Sequence, residues 1–264
     1  MNMRQSLIAI VAAGLLAAGC STPAADRDVL FQTATISALL EGLYDGNMTL
    51  ADLAKRGDLG IGTFDGLDGE LILLGGEFYR VRADGRVYRP DPAETTTPFA
   101  SVTFFDADLA ATVAGPLDLA HLEALMDKTL ADAGAGRNVP VAARITGTFT
   151  YMKTRSVPKQ AKPYPRLVDV TAKQPTFEFR NVKGTIVGFR FPDFAQGVNV
   201  PGWHLHFLNA DETGGGHILE LETAKVRVEM DRTPTLTIFV PQGGAFAGAD
   251  LSKNKPDELR RAEK

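Results

Sequence analysis

The stretch that decides the fold is Gly202-Trp203-His204-Leu205-His206-Phe207-Leu208, which a polar link joins to Gly214-Gly215-Gly216-His217. It contains three of the four histidines of the chain. Successive side chains of a strand alternate between its faces, so His204 and His206 share one face while Leu205 and Phe207 point toward a core. The link is rich in turn residues, which predicts a hairpin that returns His217 to the same place.

Three neutral imidazoles and one open position are the usual protein half of a catalytic zinc site. We therefore predict that His204, His206 and His217 bind a divalent metal ion. The residues alone leave the ion open, because imidazole also suits iron, nickel and copper. Such an ion can activate water or polarise a substrate oxygen. A solvated polar face of a hairpin, with no ion bound, is the alternative that the pattern leaves open.

The composition excludes several classes of function. The chain has 264 residues, 44% of them hydrophobic and 23% charged, and a formal net charge of −4, which is ordinary for a globular protein. It has no long basic run, so we expect no nucleic-acid partner. It has neither a Walker lysine nor the Gly-x-Ser-x-Gly motif of a serine hydrolase. The single cysteine, Cys20, allows no intrachain disulfide.

The first residues predict export. Met1 to Gly19 has a positive start and a short apolar run, which is typical of a signal peptide and too short to span a bilayer comfortably. Ala17-Ala18-Gly19-Cys20 resembles a bacterial lipoprotein cleavage box. We expect residues 1–19 to be removed, Cys20 to be lipidated and residues 20–29 to form a tether. The protein would then be a periplasmic or cell-envelope lipoprotein that touches the membrane only through its lipid. Ordinary secretory cleavage is the alternative.

The remaining pattern predicts an α+β fold of two β-sheet-rich subdomains with a few helices, with the metal site on a C-terminal β-hairpin. The N-terminal α/β subdomain would span residues 30–135, and the β-rich metal-binding subdomain would span residues 136–264. His121 is expected on the surface of a helix. The predicted helices cover residues 33–44, 50–56 and 117–131, and residues 257–264 are expected to form a short charged helix or a tail. The predicted strands cover residues 70–74, 77–82, 86–89, 101–105, 139–152, 177–182, 184–191, 225–230 and 235–239, and residues 60–70 are predicted to be turns.

Five groups of motifs, in the same order along the chain as in a known family, are more specific than the histidine pattern. They are Thr35-Ile36-Ser37-Ala38-Leu39-Leu40-Glu41-Gly42 with Tyr44-Asp45-Gly46, Gly62-Thr63-Phe64 with Leu67-Asp68-Gly69-Glu70, Lys153-Thr154-Arg155-Ser156-Val157-Pro158-Lys159-Gln160, Gly202-Trp203-His204-Leu205-His206-Phe207, and Gly214-Gly215-Gly216-His217. With these motifs the chain resembles an acetolactate decarboxylase from Leu30 to nearly its last residue. The signal-like N terminus departs from many members of that family.

This resemblance implies a carboxy-lyase with a Zn2+ cofactor that converts 2-acetolactate to acetoin and carbon dioxide, in a two-domain α+β fold that is commonly a homodimer. Loss of CO2 next to a ketone leaves an electron pair that must be delocalised into the carbonyl. Zinc chelated by the keto and hydroxyl oxygens would stabilise the resulting enediolate, which is selective stabilisation of charge that develops during the reaction. No pyridoxal or thiamine cofactor would then be needed.

The resemblance also implies roles for residues outside the histidine hairpin. Glu70 and Arg155 would lie near the metal, with Thr63 close by. Glu70 is expected to donate the proton to the enediolate. Arg155 is expected to touch the hydroxyl or keto oxygen or to hold Glu70 in place. Glu263 is expected to be the C-terminal glutamate that approaches the zinc, with Glu258 as the alternative.

Two other functions remain open from the residues. One is a metalloenzyme on a cupin-like barrel, although such a site expects a glutamate soon after the His-x-His pair and Glu212 comes late. The other is a non-catalytic envelope lipoprotein that binds a small ligand or a metal. A Schiff-base site is disfavoured, because the lysines of the proline-rich loop are expected to be solvated: Lys153, Lys159 and Lys162.

Overall fold

The structure is a computed structural model that describes residues 27–253 and 255–263. The predicted signal segment and the predicted lipidation site at Cys20 lie outside the described residues. Six helices and fourteen strands occur among the described residues. The helices are α1 (Ile36–Leu40), α2 (Leu50–Leu53), α3 (Leu119–Asp132), α4 (Leu167–Thr171), α5 (Gly244–Gly248) and α6 (Pro256–Glu263). Among these residues no helix combines the length and the apolar character needed to cross a bilayer.

The strands form two large sheets and one small one, which gives the sheet-rich α+β fold that the sequence predicts. The strands are β1 (Val29–Thr33), β2 (Met48–Thr49), β3 (Leu59–Thr63), β4 (Glu70–Leu74), β5 (Glu77–Val81), β6 (Val87–Tyr88), β7 (Thr96–Thr97), β8 (Ala100–Thr103), β9 (Leu109–Ala114), β10 (Val141–Arg155), β11 (Thr176–Phe191), β12 (Gly202–Asn209), β13 (Gly215–Arg232) and β14 (Thr235–Phe239).

The first sheet has the order β14-β1-β8-β3-β4-β5-β6, and the second has the order β10-β11-β12-β13-β9. Strands β10 and β13 also pair with each other, so β10 to β13 close into a small barrel. The sheets interleave along the chain, since β9 lies on the edge of the second sheet and β14 pairs in parallel with β1 of the first. Residues 30–135 and 136–264 therefore both contribute to both sheets.

The two large sheets pack against each other through a shared apolar core. Ile61 and Ile72 of the first sheet lie in one buried cluster with Val187 and Phe189 of the second. The strands alternate, so the opposite face of the barrel strands fills a separate core in which Leu205 and Phe207 are buried. The histidine face of β12 is consequently turned toward the first sheet.

The prediction of turns across residues 60–70 is wrong at its two ends, because β3 occupies Leu59–Thr63 and β4 begins at Glu70. It is confirmed between them, where Asp65–Leu67 form a short 3-10 turn in which Gly66 has φ +66°. Strand β3 contains glycines because the neighbouring chain at β8 comes too close to leave room for a Cβ atom. A Cβ atom on Gly60 would lie 2.5 Å from the carbonyl oxygen of Ser101, and one on Gly62 would lie 2.3 Å from that of Phe99. The sequence could not show this reason for glycine, since it depends on a strand about forty residues away.

The predicted helices exist, but the first two are shorter than predicted. Helix α1 begins after Thr35, whose hydroxyl accepts a hydrogen bond from the backbone N–H of Ala38 at 3.3 Å. It ends before Gly42, which has φ +82°, a conformation that interrupts a helix. Thr49 caps α2 as predicted, and His121 on α3 is on the surface with 74% of its side chain exposed.

Two predicted strand boundaries are also wrong. Strand β11 runs unbroken through the expected turn at residues 181–184, with Phe149↔Val182 and Tyr151↔Arg180 in one register on either side of Asn181. Strand β13 runs unbroken from Gly215 to Arg232, because β10 pairs with it along this length and satisfies its backbone groups.

Candidate metal centre and active site

The backbone register brings the three predicted imidazoles together. His206 on β12 lies directly opposite His217 on β13, and His204 is two residues before His206 on the same face. One ring nitrogen from each of the three lies within 4.8 Å of the other two. All three side chains are buried. A solvated hairpin face, the alternative left open by the sequence, does not describe these residues.

Backbone carbonyls fix the protons of two imidazoles. His206 Nδ1 lies 3.0 Å from the carbonyl oxygen of Leu71, and His217 Nε2 lies 3.0 Å from that of Glu263. A carbonyl oxygen only accepts, so both of these nitrogens carry hydrogen. The other nitrogens, His206 Nε2 and His217 Nδ1, then carry lone pairs, and His217 Nδ1 lies 3.1 Å from His204 Nε2. His206 Nε2 is buried and has no hydrogen-bond partner among the described residues.

The electrostatic surroundings keep the imidazoles neutral. Burial, with a smaller contribution from the positive charge of Arg155, lowers the pKa of His204 to about 3. Burial likewise lowers the pKa values of His206 and His217 well below the ordinary value. Neutral imidazole is the form that binds a metal ion. The donor set, the fixed tautomers and the unpartnered buried nitrogen therefore fit a divalent ion.

Two glutamates and one arginine border the three imidazoles. Glu70 Oε2, from β4 of the first sheet, lies 3.6 Å from His206 Nε2. Glu263 Oε2, from α6, lies 3.6 Å from His204 Nε2 and 3.8 Å from His217 Nδ1. The guanidinium of Arg155 lies between the carboxylates, 3.3 Å from an oxygen of each. Carboxylates from two distant parts of the chain therefore face the same point as the imidazole lone pairs.

Arg155, the last residue of β10, lies beside His217 of β13. The two residues are direct neighbours in the pairing of β10 with β13, so their side chains leave the sheet on one face. Arg155 Nη2 also donates to the carbonyl oxygen of Ala262 at 3.0 Å. With 4% of its surface exposed, Arg155 makes its charge-assisted contacts in a water-poor environment.

Burial shifts both carboxylates toward the protonated form. It raises the pKa of Glu70 to about 7, with the positive charge of Arg155 opposing the shift and the negative charge of Glu263 adding to it. Burial also raises the pKa of Glu263, and Arg155 again opposes the shift. At neutral pH both the protonated form of Glu70, which can donate a proton, and its carboxylate form are therefore populated.

The structure places the remaining predicted residues outside direct contact with the imidazoles. Thr63 lies opposite Glu70 in the β3–β4 pairing, and its hydroxyl donates to the carbonyl oxygen of Gly69 at 2.7 Å. It therefore fixes the backbone just before Glu70. Glu258 is paired with Arg166 and not with a histidine.

The three lysines of the proline-rich region also lie outside the site. Lys153 is paired with Glu220 and Lys162 with Asp45, while Lys159 is exposed.

Space next to the imidazoles occurs on two sides. A cavity of about 30 Å³ lies between Glu70, Arg155 and the histidines, with Leu67 and Val157 among its apolar walls. A groove of about 280 Å³ reaches His204, His217 and Glu263 from the side of α3. The cavity corresponds to about one water molecule, so the groove is the larger approach to the centre. Its apolar walls include Leu119, Trp203 and Ile218.

Sequence reasoning missed the backbone partners of the site. The carbonyl groups of Leu71 and Glu263 determine which imidazole nitrogens carry lone pairs, yet any residue type supplies a carbonyl. No side-chain pattern marks them. The adjacency of Arg155 and His217 is equally invisible, because it depends on a pairing register between strands sixty residues apart in the chain.

Comparison with known proteins shows that the chain is similar to alpha-acetolactate decarboxylases over most of its length. The family model described as Alpha-acetolactate decarboxylase matches residues 30–253. The chain is 45% identical over 238 residues to the alpha-acetolactate decarboxylase of Methylococcus capsulatus, covering 90% of this chain and 89% of the relative. It is also 45% identical over 237 residues to that of Methanosarcina mazei, covering 90% and 81% respectively.

A solved structure shares the fold. The crystal structure of alpha-acetolactate decarboxylase from Bacillus subtilis strain 168 is similar to this chain with a TM-score of 0.85 and 36% identity, covering 89% of this chain and 99% of that one. The match to the family model ends at residue 253, so α6 and Glu263 lie beyond it. The position of Glu263 at the site therefore rests on the geometry described above.

Proposed function

The chain belongs to the alpha-acetolactate decarboxylase family, and from this premise we propose that it converts 2-acetolactate to acetoin and carbon dioxide with a zinc ion held by His204, His206 and His217. The observation that carries the proposal is the convergence of three neutral imidazoles with Glu70, Arg155 and Glu263 in one buried centre. A carboxy-lyase needs such a centre to stabilise the negative charge that remains when CO2 departs.

The donor set supports zinc. Three nitrogen ligands with room for further oxygen ligands are typical of catalytic zinc sites. A divalent ion held there would supply a Lewis acid beside the keto and hydroxyl oxygens of the substrate. No organic electron sink is then required.

The chemical step is a heterolytic cleavage. The bond between the carboxylate carbon and the adjacent carbon breaks, and CO2 leaves without its electron pair. That pair is delocalised into the neighbouring carbonyl, which gives an enediolate. The carbon then takes up a proton, and acetoin is formed. A divalent ion held by the three histidines would stabilise the enediolate more than the substrate.

The surrounding residues have distinct tasks in this proposal. Glu70 donates the proton, since burial keeps its pKa near 7 and its carboxyl group lies at the centre. Arg155 holds Glu70 and Glu263 in position through its two terminal nitrogens. It is committed to these partners, so it does not bind the departing carboxylate tightly, which would stabilise the ground state. Thr63 acts through the carbonyl of Gly69 to orient Glu70.

The two alternative functions lack specific support. A cupin-like site expects a glutamate ligand soon after the His-x-His pair, but Glu212, the first glutamate after it, accepts hydrogen bonds from Tyr79 and Arg89 at 2.8 and 2.7 Å. A non-catalytic metal-binding protein would not need a buried carboxylic acid poised for proton transfer next to its metal ligands. Neither alternative explains the contacts of Arg155.

The direct test is the formation of acetoin from 2-acetolactate by the purified protein. We expect activity that is lost on treatment with a chelator, restored by zinc, and abolished in His206→Ala. His121→Ala is the matched control, because His121 is the fourth histidine and lies on the surface. Stoichiometric zinc binding without acetoin formation would contradict the proposal.

Location and assembly are proposed separately. We propose that the chain is exported, lipidated at Cys20 and assembled as a homodimer. The signal-like segment and the cleavage box support the first two points. Labelling of the wild type, but not of Cys20→Ser, by a fatty-acid analogue tests lipidation, and sedimentation of the mature chain tests the homodimer.

A further inference from the structure

Helix α6 completes the candidate metal centre through Ala262 and Glu263 in its last turn. Glu263 directs its carboxylate at His204 and His217, and its carbonyl oxygen accepts from His217 Nε2. The carbonyl oxygen of Ala262 accepts from Arg155. The imidazole tautomer of His217 and one carboxylate of the site therefore depend on whether α6 is docked.

The apolar contacts that dock α6 are few. Leu259 and Ala262 are its buried apolar side chains, and they pack against a cluster that includes Leu39, Leu167 and Val170. An eight-residue helix has little stability of its own in water. Two apolar side chains give a limited docking energy, so other contacts must contribute to keep α6 in place.

Four charged residues supply these contacts, and we call them the clamp: Glu41, Arg166, Lys255 and Glu258. Arg166, at the N-terminal end of α4, makes an ion pair with Glu258 in the first turn of α6. It also lies 3.5 Å from Glu41, at the C-terminal end of α1, and Glu41 is paired with Lys255 just before α6. The side chain of Arg166 is 38% exposed, and its partners Glu258 and Glu41 are 21% and 28% exposed. These pairs are less screened than fully exposed ones.

We propose that Arg166 is a positioning residue that holds α6 on the metal centre through Glu258 and thereby sets the affinity for zinc. The inference rests on the proposed function, because it concerns the same site. Docking of α6 and binding of the ion stabilise each other: the docked helix supplies Glu263 and orients His217, and the bound ion favours the docked state. Such coupling is reciprocal by thermodynamic necessity.

The size of the effect follows from the fraction of molecules in which α6 is docked. The apparent zinc affinity of the complete site falls in proportion to this fraction. We expect Arg166→Gln to weaken zinc binding about three- to tenfold, the range for loss of a partly screened ion-pair network. The same variant should lower kcat, because undocked molecules lack Glu263, while KM changes less.

The experiment measures zinc binding and docking in the same full-length variants. Zinc affinity is obtained by competition with a chromogenic chelator, and docking by the rate of tryptic cleavage at residues 253–261, which contain lysines and arginines. In the wild type we expect zinc to slow this cleavage. In Arg166→Gln the cleavage should be faster with and without zinc. Arg180→Gln is the control, since Arg180 is 72% exposed, pairs with the exposed Glu178 and stacks on the ring of Tyr151.

A double-mutant cycle separates positioning from general stability. Arg166 acts through Glu258, so Glu258→Gln and the double variant should both resemble Arg166→Gln, and the effects should not add. Hydrogen exchange in β10–β13 should stay unchanged in all three. Additive effects, or wild-type zinc affinity and tail protection in Arg166→Gln, would overturn the proposal.

The same measurements distinguish this inference from the proposed function. A wild type that binds zinc with tail protection but forms no acetoin would leave the role of Arg166 standing and refute the decarboxylase. Acetoin formation that depends on zinc, together with Arg166→Gln indistinguishable from the wild type, would support the decarboxylase and refute the role of Arg166.

Discussion

Gly216 offers a sharp test of the geometry, because it lies between Arg155 and His217. It has φ +127°, and a Cβ atom there would lie 2.3 Å from the carbonyl oxygen of Arg155. Gly115 has nearly the same φ, +125°, but nothing lies within 4 Å of its Cβ position. The two glycines therefore share the conformational demand and differ in the space around them. Comparing Gly216→Ala with Gly115→Ala isolates the effect of the contact.

The magnitude follows from these distances. Ordinary contact of a Cβ atom begins at 3.4 Å, so an alanine at Gly216 must separate from the Arg155 carbonyl by about 1.1 Å, the difference between the two distances. Backbone strain at this φ costs about 1–3 kcal/mol in either variant. The clash adds about 1–3 kcal/mol at Gly216 only. A displacement of about 1 Å in a catalytic group costs about 100-fold in rate.

We therefore expect Gly216→Ala to lose about 100-fold in kcat/KM for acetoin formation and to bind zinc more weakly. Gly115→Ala should keep both properties while losing stability. Urea unfolding gives the stability of each variant, and chelator competition gives the zinc affinity. If Gly216→Ala matched Gly115→Ala in turnover, zinc affinity and stability, the placement of Arg155 beside His217 would be refuted.

Three further predictions address charge, metal and pH. Arg155→Lys keeps the positive charge but loses the planar guanidinium that contacts two carboxylates. We therefore expect kcat/KM in the acetoin assay to fall 10- to 100-fold, which is a rise of about 1.4–2.7 kcal/mol in the activation free energy. Activity within threefold of the wild type would argue against this role. Zinc at a hundredfold excess over its dissociation constant should stabilise the fold by about 2.7 kcal/mol in thermal unfolding, and a shift that persists in His206→Gln would contradict the ligand set. Burial, followed by neighbouring negative charges, raises the pKa of Asp231 from 3.8 to about 7, so the folded state binds this proton more tightly than the unfolded state. The contribution of Asp231 to stability should then fall as pH rises from about 4 to about 7, by at most about 4 kcal/mol. Asp231→Asn should reduce the slope in urea titrations and leave the part due to Glu70, whose pKa burial also raises to about 7.

The sequence predicted the parts of the site that depend on local spacing. His204 and His206 lie two residues apart on a strand, and His217 follows a short glycine-rich link, so period-two alternation and one hairpin suffice to bring them together. The surface position of His121 also follows from helical periodicity. These inferences need no knowledge of which distant strands pair.

The sequence failed where the reason for a residue lies across the fold. The glycine content predicts turns at Gly60 and Gly62, whereas in the structure the missing side chains let β8 approach β3. The sequence predicts a turn near Asn181, whereas in the structure β10 pairs with β11 in one register on both sides of this residue. The positions of Glu70, Arg155 and Glu263 came from resemblance and not from spacing, since three separate elements meet there. A pattern-based analysis has no access to such pairings.

The arrangement of charges explains why the arginine contacts the two glutamates and leaves the substrate carboxylate free. In the proposed reaction the negative charge begins on the substrate carboxylate, moves to the enediolate as CO2 leaves, and ends on Glu70 when its proton is transferred. An arginine bound to the carboxylate would stabilise the first of these states and raise the barrier. Arg155, 3.3 Å from Glu70, instead stabilises the last state and lowers the pKa of the acid toward that of an effective donor at neutral pH. The contact with Glu263 places the same positive charge next to the only other buried carboxylate of the centre among the described residues. In this proposal the positive charge of Arg155 therefore stabilises the carboxylate form of Glu70 without stabilising the substrate carboxylate.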